Sequence, residues 1–174
     1  MKSSIRVGTI VLGYGVAILI ASAVVAVRVA TTNPADAQAA GGMYAFGESV
    51  LFVVVFGVAA LVPTAGALFM LKSHPRFWTW LSAMSLVVAF TGVAAAGLYV
   101  AGHDAAPSLL ATLAALSVLR ILVAPLAALA FGLGALISPG RTGKVALLAA
   151  TVMELGVSAY AGVTWFLPML LHRP

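Results

Sequence analysis

The sequence predicts an all-α membrane protein: a bundle of five transmembrane helices, N-terminus cytoplasmic and C-terminus outside. Three observations predict it. Five long apolar runs fill almost the whole chain, charged residues make up only 7% of it, and breaks with and without cations alternate between the runs. The runs are Val7–Ala30, Glu48–Leu71, Trp78–Ala101, Leu109–Ile137 and Val145–Leu171. Each exceeds the ~20 residues that cross a ~30 Å hydrocarbon layer as a helix. Hydrocarbon offers no water to backbone N–H and C=O groups, so such runs satisfy them internally, as helices. With 63% hydrophobic residues among 174, one transmembrane domain covering 1–174 leaves little outside the bilayer.

The first run follows Lys2 and Arg6. A cleaved signal peptide is the rival reading, with Ala37-Gln38-Ala39 as the small-x-small cleavage site. The run is 24 residues (7–30), longer than the ~7–15 of a signal core, so a retained helix is expected. The second run carries Pro63 and ends at Lys72-Ser73-His74-Pro75-Arg76. Phe77, Trp78 and Trp80 open the third run. Tyr44, Phe46, Tyr99, Trp165 and Phe166 fall near the opposite boundary, and aromatic rings with one polar atom favour the headgroup level. The fourth run carries Arg120 and Pro125 and ends at Ser138-Pro139-Gly140-Arg141-Thr142-Gly143-Lys144. The fifth carries Glu154. A faint repeat relates Pro63 and Gly66-Ala67-Leu68 to Pro125 and Gly134-Ala135-Leu136. In a chain so rich in Gly, Ala and Leu, chance accounts for it.

Charge placement sets the orientation. Lys2, Arg6, Lys72, Arg76, Arg141 and Lys144 fall on one side, and only Arg28 and Arg173 on the other. The breaks Thr31–Gly47 and Gly102–Ser108 hold no Lys or Arg. Under the positive-inside rule the first set is cytoplasmic, in the inner (plasma) membrane. Arg28 lies near enough to a helix end to snorkel. The net charge of +5 is thus an anchoring pattern, not the clustered cationic face that nucleic acid requires. The absence of cysteine excludes disulfides, thiolate metal sites and iron–sulfur ligation.

Two ionisable residues, Arg120 and Glu154, lie well inside apolar runs. Each charge costs at least ~2.5–3.5 kcal/mol at the bilayer centre, so each must face protein, water or a partner. Small residues recur beside them at i, i+4: Ala124, Ala128 and Gly132 after Arg120, and Ala150, Ser158 and Gly162 around Glu154. Such stripes let membrane helices approach closely and mark packing faces. Ala95 is on no such stripe, and Ala95→Leu is expected to do less harm than Gly132→Leu or Gly162→Leu. Counted from Arg141, Arg120 and Glu154 differ in depth by roughly 12 Å at 1.5 Å per residue. Their side chains also lean in opposite directions, toward their own N-termini. Two separate polar layers are therefore expected, with Tyr14, Thr64 and Ser85 as partners for Glu154. Ser22, Thr91 and Ser117 share the layer of Arg120.

No catalytic or metal-binding set emerges. Gly140-Arg-Thr-Gly143-Lys144 lacks the Gly-x4-Gly-Lys-Ser/Thr spacing of a phosphate-binding loop and reads as a turn. His103, Asp104 and His172 share one predicted side without metal-ligand spacing, and no histidine lies mid-helix to hold a haem. No metal or cofactor is expected. The preferred functional reading is a non-catalytic membrane subunit or assembly partner of a larger inner-membrane complex, whose partners are the lipid bilayer and other membrane subunits. The alternative is a small carrier or channel for protons, ions or a small solute, using Arg120, Glu154, Tyr14 and Thr64. A membrane enzyme acting on lipid or quinone ranks third. On the subunit reading Glu154 is a hydrogen-bonding group, and Glu154→Gln is expected to be nearly silent.

The orientation is tested by labelling. Single cysteines at Gln38 and Ser108 should react with a membrane-impermeant reagent in intact cells, and one at Ser73 should not. The opposite pattern inverts the topology.

Overall fold

The computed structural model describes residues 3–33, 38–102 and 108–171. Lys2, Ala37, His103, Asp104, His172 and Arg173, weighed above for charge, cleavage or metal, lie outside them. Among the described residues there are five helices long and apolar enough to cross a membrane. They are α1 (Ser3–Thr31), α2 (Gly41–Met70), α3 (Pro75–Gly102), α4 (Leu109–Ile137) and α5 (Arg141–Ala161). A 3-10 turn, Leu71–Ser73, links α2 to α3. A π turn, Gly162–Phe166, continues α5 into the short α6 (Leu167–Leu171). The chain is a multi-pass helical membrane protein.

The helix ends follow local chemistry. α2 starts at Gly41, ahead of the expected Glu48, because nothing between them breaks a helix; the Ala40 carbonyl accepts from the N–H groups of Met43 and Tyr44. Pro75 opens α3, where its missing N–H costs nothing. Ser108 caps α4, its Oγ accepting from the Ala111 N–H at 3.3 Å. Pro139 follows the other end of α4, where the Ser138 N–H closes on the Gly134 carbonyl at 2.9 Å. The polar residues Arg141 to Lys144, expected in the preceding break, form the first turn of α5 instead. Pro168 explains the π turn: in an α-helix its ring would meet the carbonyl four residues back. The wider turn bonds the Leu167 N–H to the Gly162 carbonyl, five residues back.

Trp78, in the first turn of α3, faces protein. It is 4% exposed, and its Nε1–H donates to the Leu71 carbonyl at 3.0 Å, stapling the 3-10 turn to α3. Trp80, at 68% exposure, remains outward.

The chain divides into two compact units, Met1–Met70 and Leu71–Pro174. This division does not follow the faint repeat, since it groups α2 with α1. In the first unit α1 and α2 form an antiparallel hairpin. A Cβ on Gly13 would lie 2.9 Å from Pro63 Cβ, so the helices touch most closely there. Ala17 and Ala21 continue that face one and two turns on, both buried. Tyr14 bonds Thr64 across the contact at 2.8 Å. The Thr64 hydroxyl proton is directed to the Ala60 carbonyl at 2.6 Å, so the Tyr14 phenol is the donor.

In the second unit each of α3, α4 and α5 packs on the other two. Ala95, Ile121, Ala124, Val157 and Ala161 form a core, with Tyr99 and Trp165 packed against it edge to face at 5.4 Å. Ala95, which lies on none of the expected stripes, is part of this core, so the expectation that Leu does less harm there is corrected. Ala95 itself lies one helix turn from both Gly92 and Tyr99, on the α3 face that meets α4 and α5.

The close contact at Gly13 gives a test. Ala is favoured over Gly inside a helix by about 0.5–1 kcal/mol. Gly15→Ala meets nothing within 4 Å and should hold or raise the unfolding temperature in detergent. Gly13→Ala must push against Pro63 and should lower it. Equal behaviour of the two variants would remove Gly13 from the helix contact.

Candidate functional site

Arg120 and Glu154 pair. The Arg120 Nη2 binds Glu154 Oε1, and Nη1 donates to Oε2 at 3.2 Å, a two-pronged contact between α4 and α5. Helix α3 completes the site. Nη2 also donates to the Val88 carbonyl at 2.7 Å, and Nε donates to Thr91 Oγ1 at 3.1 Å. The Thr91 hydroxyl in turn donates to the Val88 carbonyl at 2.7 Å. One guanidinium thus ties all three helices of the second unit together. Its planar fork has donors in the right places for this, whereas a lysine ammonium has no such fixed geometry.

Burial is uneven. Glu154 is fully buried, while the Arg120 side chain retains 22% exposure along the edge near Thr91. Gly92 makes room for both. A Cβ there would lie 2.9 Å from Arg120 Nη2 and 3.1 Å from Glu154 Oε2. Backbone and ion pair therefore meet without an intervening side chain. The α3 face that approaches is built from Ser82, Ser85, Ala89, Gly92 and Ala95, all buried.

The expectation of two separate polar layers is corrected by this pairing. The depth count began at Arg141 and so placed the turn residues on the helix. From the helix ends, Arg120 is 17 residues before Ile137 and Glu154 is 13 after Arg141. The difference is four residues, or about 6 Å at 1.5 Å per residue, within reach of an extended arginine. The opposite lean of the two side chains is overcome because Val88, Thr91 and Gly92 hold the guanidinium from the third side.

The hydroxyls proposed as partners divide differently from expectation. Tyr14 and Thr64 bond each other inside the first unit. Ser85 donates to the Leu81 carbonyl and Ser117 to the Ala114 carbonyl, each within its own helix. Of the hydroxyls assigned to the two layers, Thr91 alone bonds a member of the ion pair. Among the stripe residues, Ala124, Ala128 and Ala150 are buried at 0–3% exposure. Gly132 lies opposite the Thr151 methyl, 3.7 Å from the position of a Cβ. Ser158 is half-buried, and its Oγ donates to the main-chain carbonyl of Glu154 at 2.7 Å. Gly162 differs from expectation: a Cβ there would meet nothing within 4 Å, and its residue opens the π turn.

Gly92 and Val88 were missed. A carbonyl acceptor such as Val88 carries no sequence signal. Gly92 had one, the run of small residues on α3 at spacings of three and four.

Chemically the site is closed. Both carboxylate oxygens face the guanidinium, and among the described residues no buried side-chain polar atom lacks a partner. Nor do the described residues contain a group of three or more His, Cys, Asp or Glu placed to hold a metal. Comparison with protein-family models, curated proteins and solved structures gave no match.

The pairing reverses the expectation for Glu154→Gln. Gln leaves Arg120 charged and uncompensated, and breaking a buried pair costs about 3–5 kcal/mol. The partial exposure of Arg120 puts Glu154→Gln near the lower figure, about 3 kcal/mol. Arg120→Met should cost a similar amount, and the Arg120→Met/Glu154→Gln double variant much less than the sum. Unfolding of the four proteins in detergent measures the coupling as a double-mutant cycle. Additive losses would mean that the pair does not hold the helices.

Proposed function

We propose that the chain is a non-catalytic integral membrane subunit or assembly partner of a larger complex in the inner (plasma) membrane, with its N-terminus cytoplasmic and its C-terminus outside. The observation that carries this reading is the closed Arg120–Glu154 pair. A carrier needs a titrating or binding group that solvent or substrate can reach. Here, among the described residues, the one buried carboxylate is held by a guanidinium on both oxygens and is fully buried. Opening it would expose an unpaired charge to hydrocarbon, at a cost of several kcal/mol. The pair thus serves as a latch between α3, α4 and α5, and the polar chemistry of the core is spent on holding helices. Tyr14 and Thr64 serve the same end in the first unit, where their bond joins α1 to α2. The orientation rests on the cation pattern alone.

Small bundles of this kind expose most of their surface to lipid or to other membrane chains. At most 28% of the residues in the apolar window of any spanning helix are buried, and in α1 and α2 the share is 11%. Extraction of the native membrane into polymer-bounded nanodiscs should yield the chain with at least one other membrane protein in fixed ratio. The opposite result is a particle holding this chain alone that moves protons, ions or a small solute across liposome membranes. If a folded Glu154→Gln variant also lost that flux, the carrier reading would replace the subunit one.

A further inference from the structure

At one end of the second unit the first turns of α3 meet the α4–α5 turn around a cleft of about 310 Å³. Its lining combines three kinds of group. Arg141 supplies charge, Thr79, Ser138 and Thr142 supply hydroxyls, and Pro75 and Pro139 are among the apolar walls. Gly143 keeps the cleft narrow at its base, since a Cβ there would lie 3.0 Å from Ser138 Oγ and 3.3 Å from Ser82 Oγ. Arg76 and Lys144 flank the cleft in sequence, one residue beyond Pro75 and one beyond Gly143. Arg76, Arg141 and Lys144 are all exposed. Among the described residues of this end there is no Asp or Glu. The carboxylate described in this unit, Glu154, is already committed to Arg120. One cation in the lining and two next to lining residues in the chain thus stand at a polar cleft where the described residues place no carboxylate to balance them.

We propose that this surface binds the phosphate-bearing headgroups of anionic phospholipids. Basic pockets between helix ends attract such headgroups, and each Lys or Arg near an anionic leaflet adds to the attraction. The mixed lining argues for a lipid over a free anion. Hydroxyls and Arg141 suit the phosphate, while exposed Met84, Val145 and Leu148 begin on α3 and α5 immediately below the cations and suit the acyl chains. The proposal is independent of the subunit reading and of which side of the membrane this end faces.

The test uses the full chain in uncharged detergent micelles, titrated with phosphatidylglycerol or phosphatidylcholine and read by native mass spectrometry. Phosphatidylglycerol should bind saturably and at least tenfold more tightly than phosphatidylcholine. Arg76→Gln, Arg141→Gln and Lys144→Gln should each weaken it about fivefold, and the triple variant about a hundredfold. Arg141→Lys should stay close to the parent, and Arg28→Gln, in the other unit, should be unchanged. These are exposed positions, so unfolding temperatures should hold and separate lost binding from lost folding. Equal affinity for the two lipids, or a triple variant that binds as well as the parent, would overturn the proposal. So would displacement of phosphatidylglycerol by millimolar inorganic phosphate, which would make the surface a site for a free anion.

Discussion

A guanidinium inside a membrane cannot shed its charge, and that constraint organises the second unit. Arginine stays protonated under any condition a protein meets, so burial has to supply it with acceptors. Arg120 finds four: the two Glu154 oxygens, the Val88 carbonyl and the Thr91 hydroxyl. They come from two other helices. Fixing one side chain therefore fixes the rotation and depth of α3, α4 and α5 together. Apolar packing alone is permissive about depth, because lipid is as apolar as the helix faces and sliding costs little. The pair removes that freedom. Its worth is in specifying one arrangement, since replacing a buried pair by apolar groups often leaves stability unchanged.

For the pair to form, helix backbones must come close. The small residues of the chain are placed accordingly. On α3, Gly92 gives room to the guanidinium, with Ser85 and Ala89 buried in the same helix, and Ala124, Ala128 and Ala150 are buried on α4 and α5. The first unit solves a similar problem with no charge at all. Gly13 meets Pro63, and a phenol–hydroxyl bond between Tyr14 and Thr64 sets the register. Proline suits the contact because its ring presents a flat surface, and neighbouring groups in a bundle can satisfy the carbonyl it frees.

Much of this was legible in the sequence, and what was not has physical reasons. The five spans were legible because 20 or more apolar residues in a row have few other solutions. The burial of Glu154 followed from the energy of a charge in hydrocarbon. The pairing did not, because a depth estimate accumulates error at 1.5 Å per residue and three misassigned turn residues are enough to hide a contact. Ala95 and Gly92 were passed over because small residues are everywhere in this chain. Only the charges on α4 and α5 drew attention to particular stripes, and α3 has no charge in its span to do so. Trp78 was read by its residue type, which favours the interface, whereas its place next to a tight turn put it under the Leu71 carbonyl.

The two ends of the second unit's charge pattern follow one rule. Where a cation lies deep, the fold supplies a carboxylate and two further acceptors, leaving no net charge in the hydrocarbon. At Arg76, Arg141 and Lys144, near the helix ends, the described residues supply no carboxylate. Arg76, Arg141 and Lys144 stay exposed around a cleft lined with hydroxyls. Leaving end charges uncompensated costs little beside water and headgroups, because the high dielectric there screens them. An anchoring role needs no cleft, only snorkelling side chains. A cleft narrowed at its base by the close approach at Gly143 adds shape to charge, and shape is what distinguishes a headgroup that docks from a leaflet that merely attracts. The same chain thus uses arginine in two opposed ways, neutralised where it must be silent and bare where it can be read.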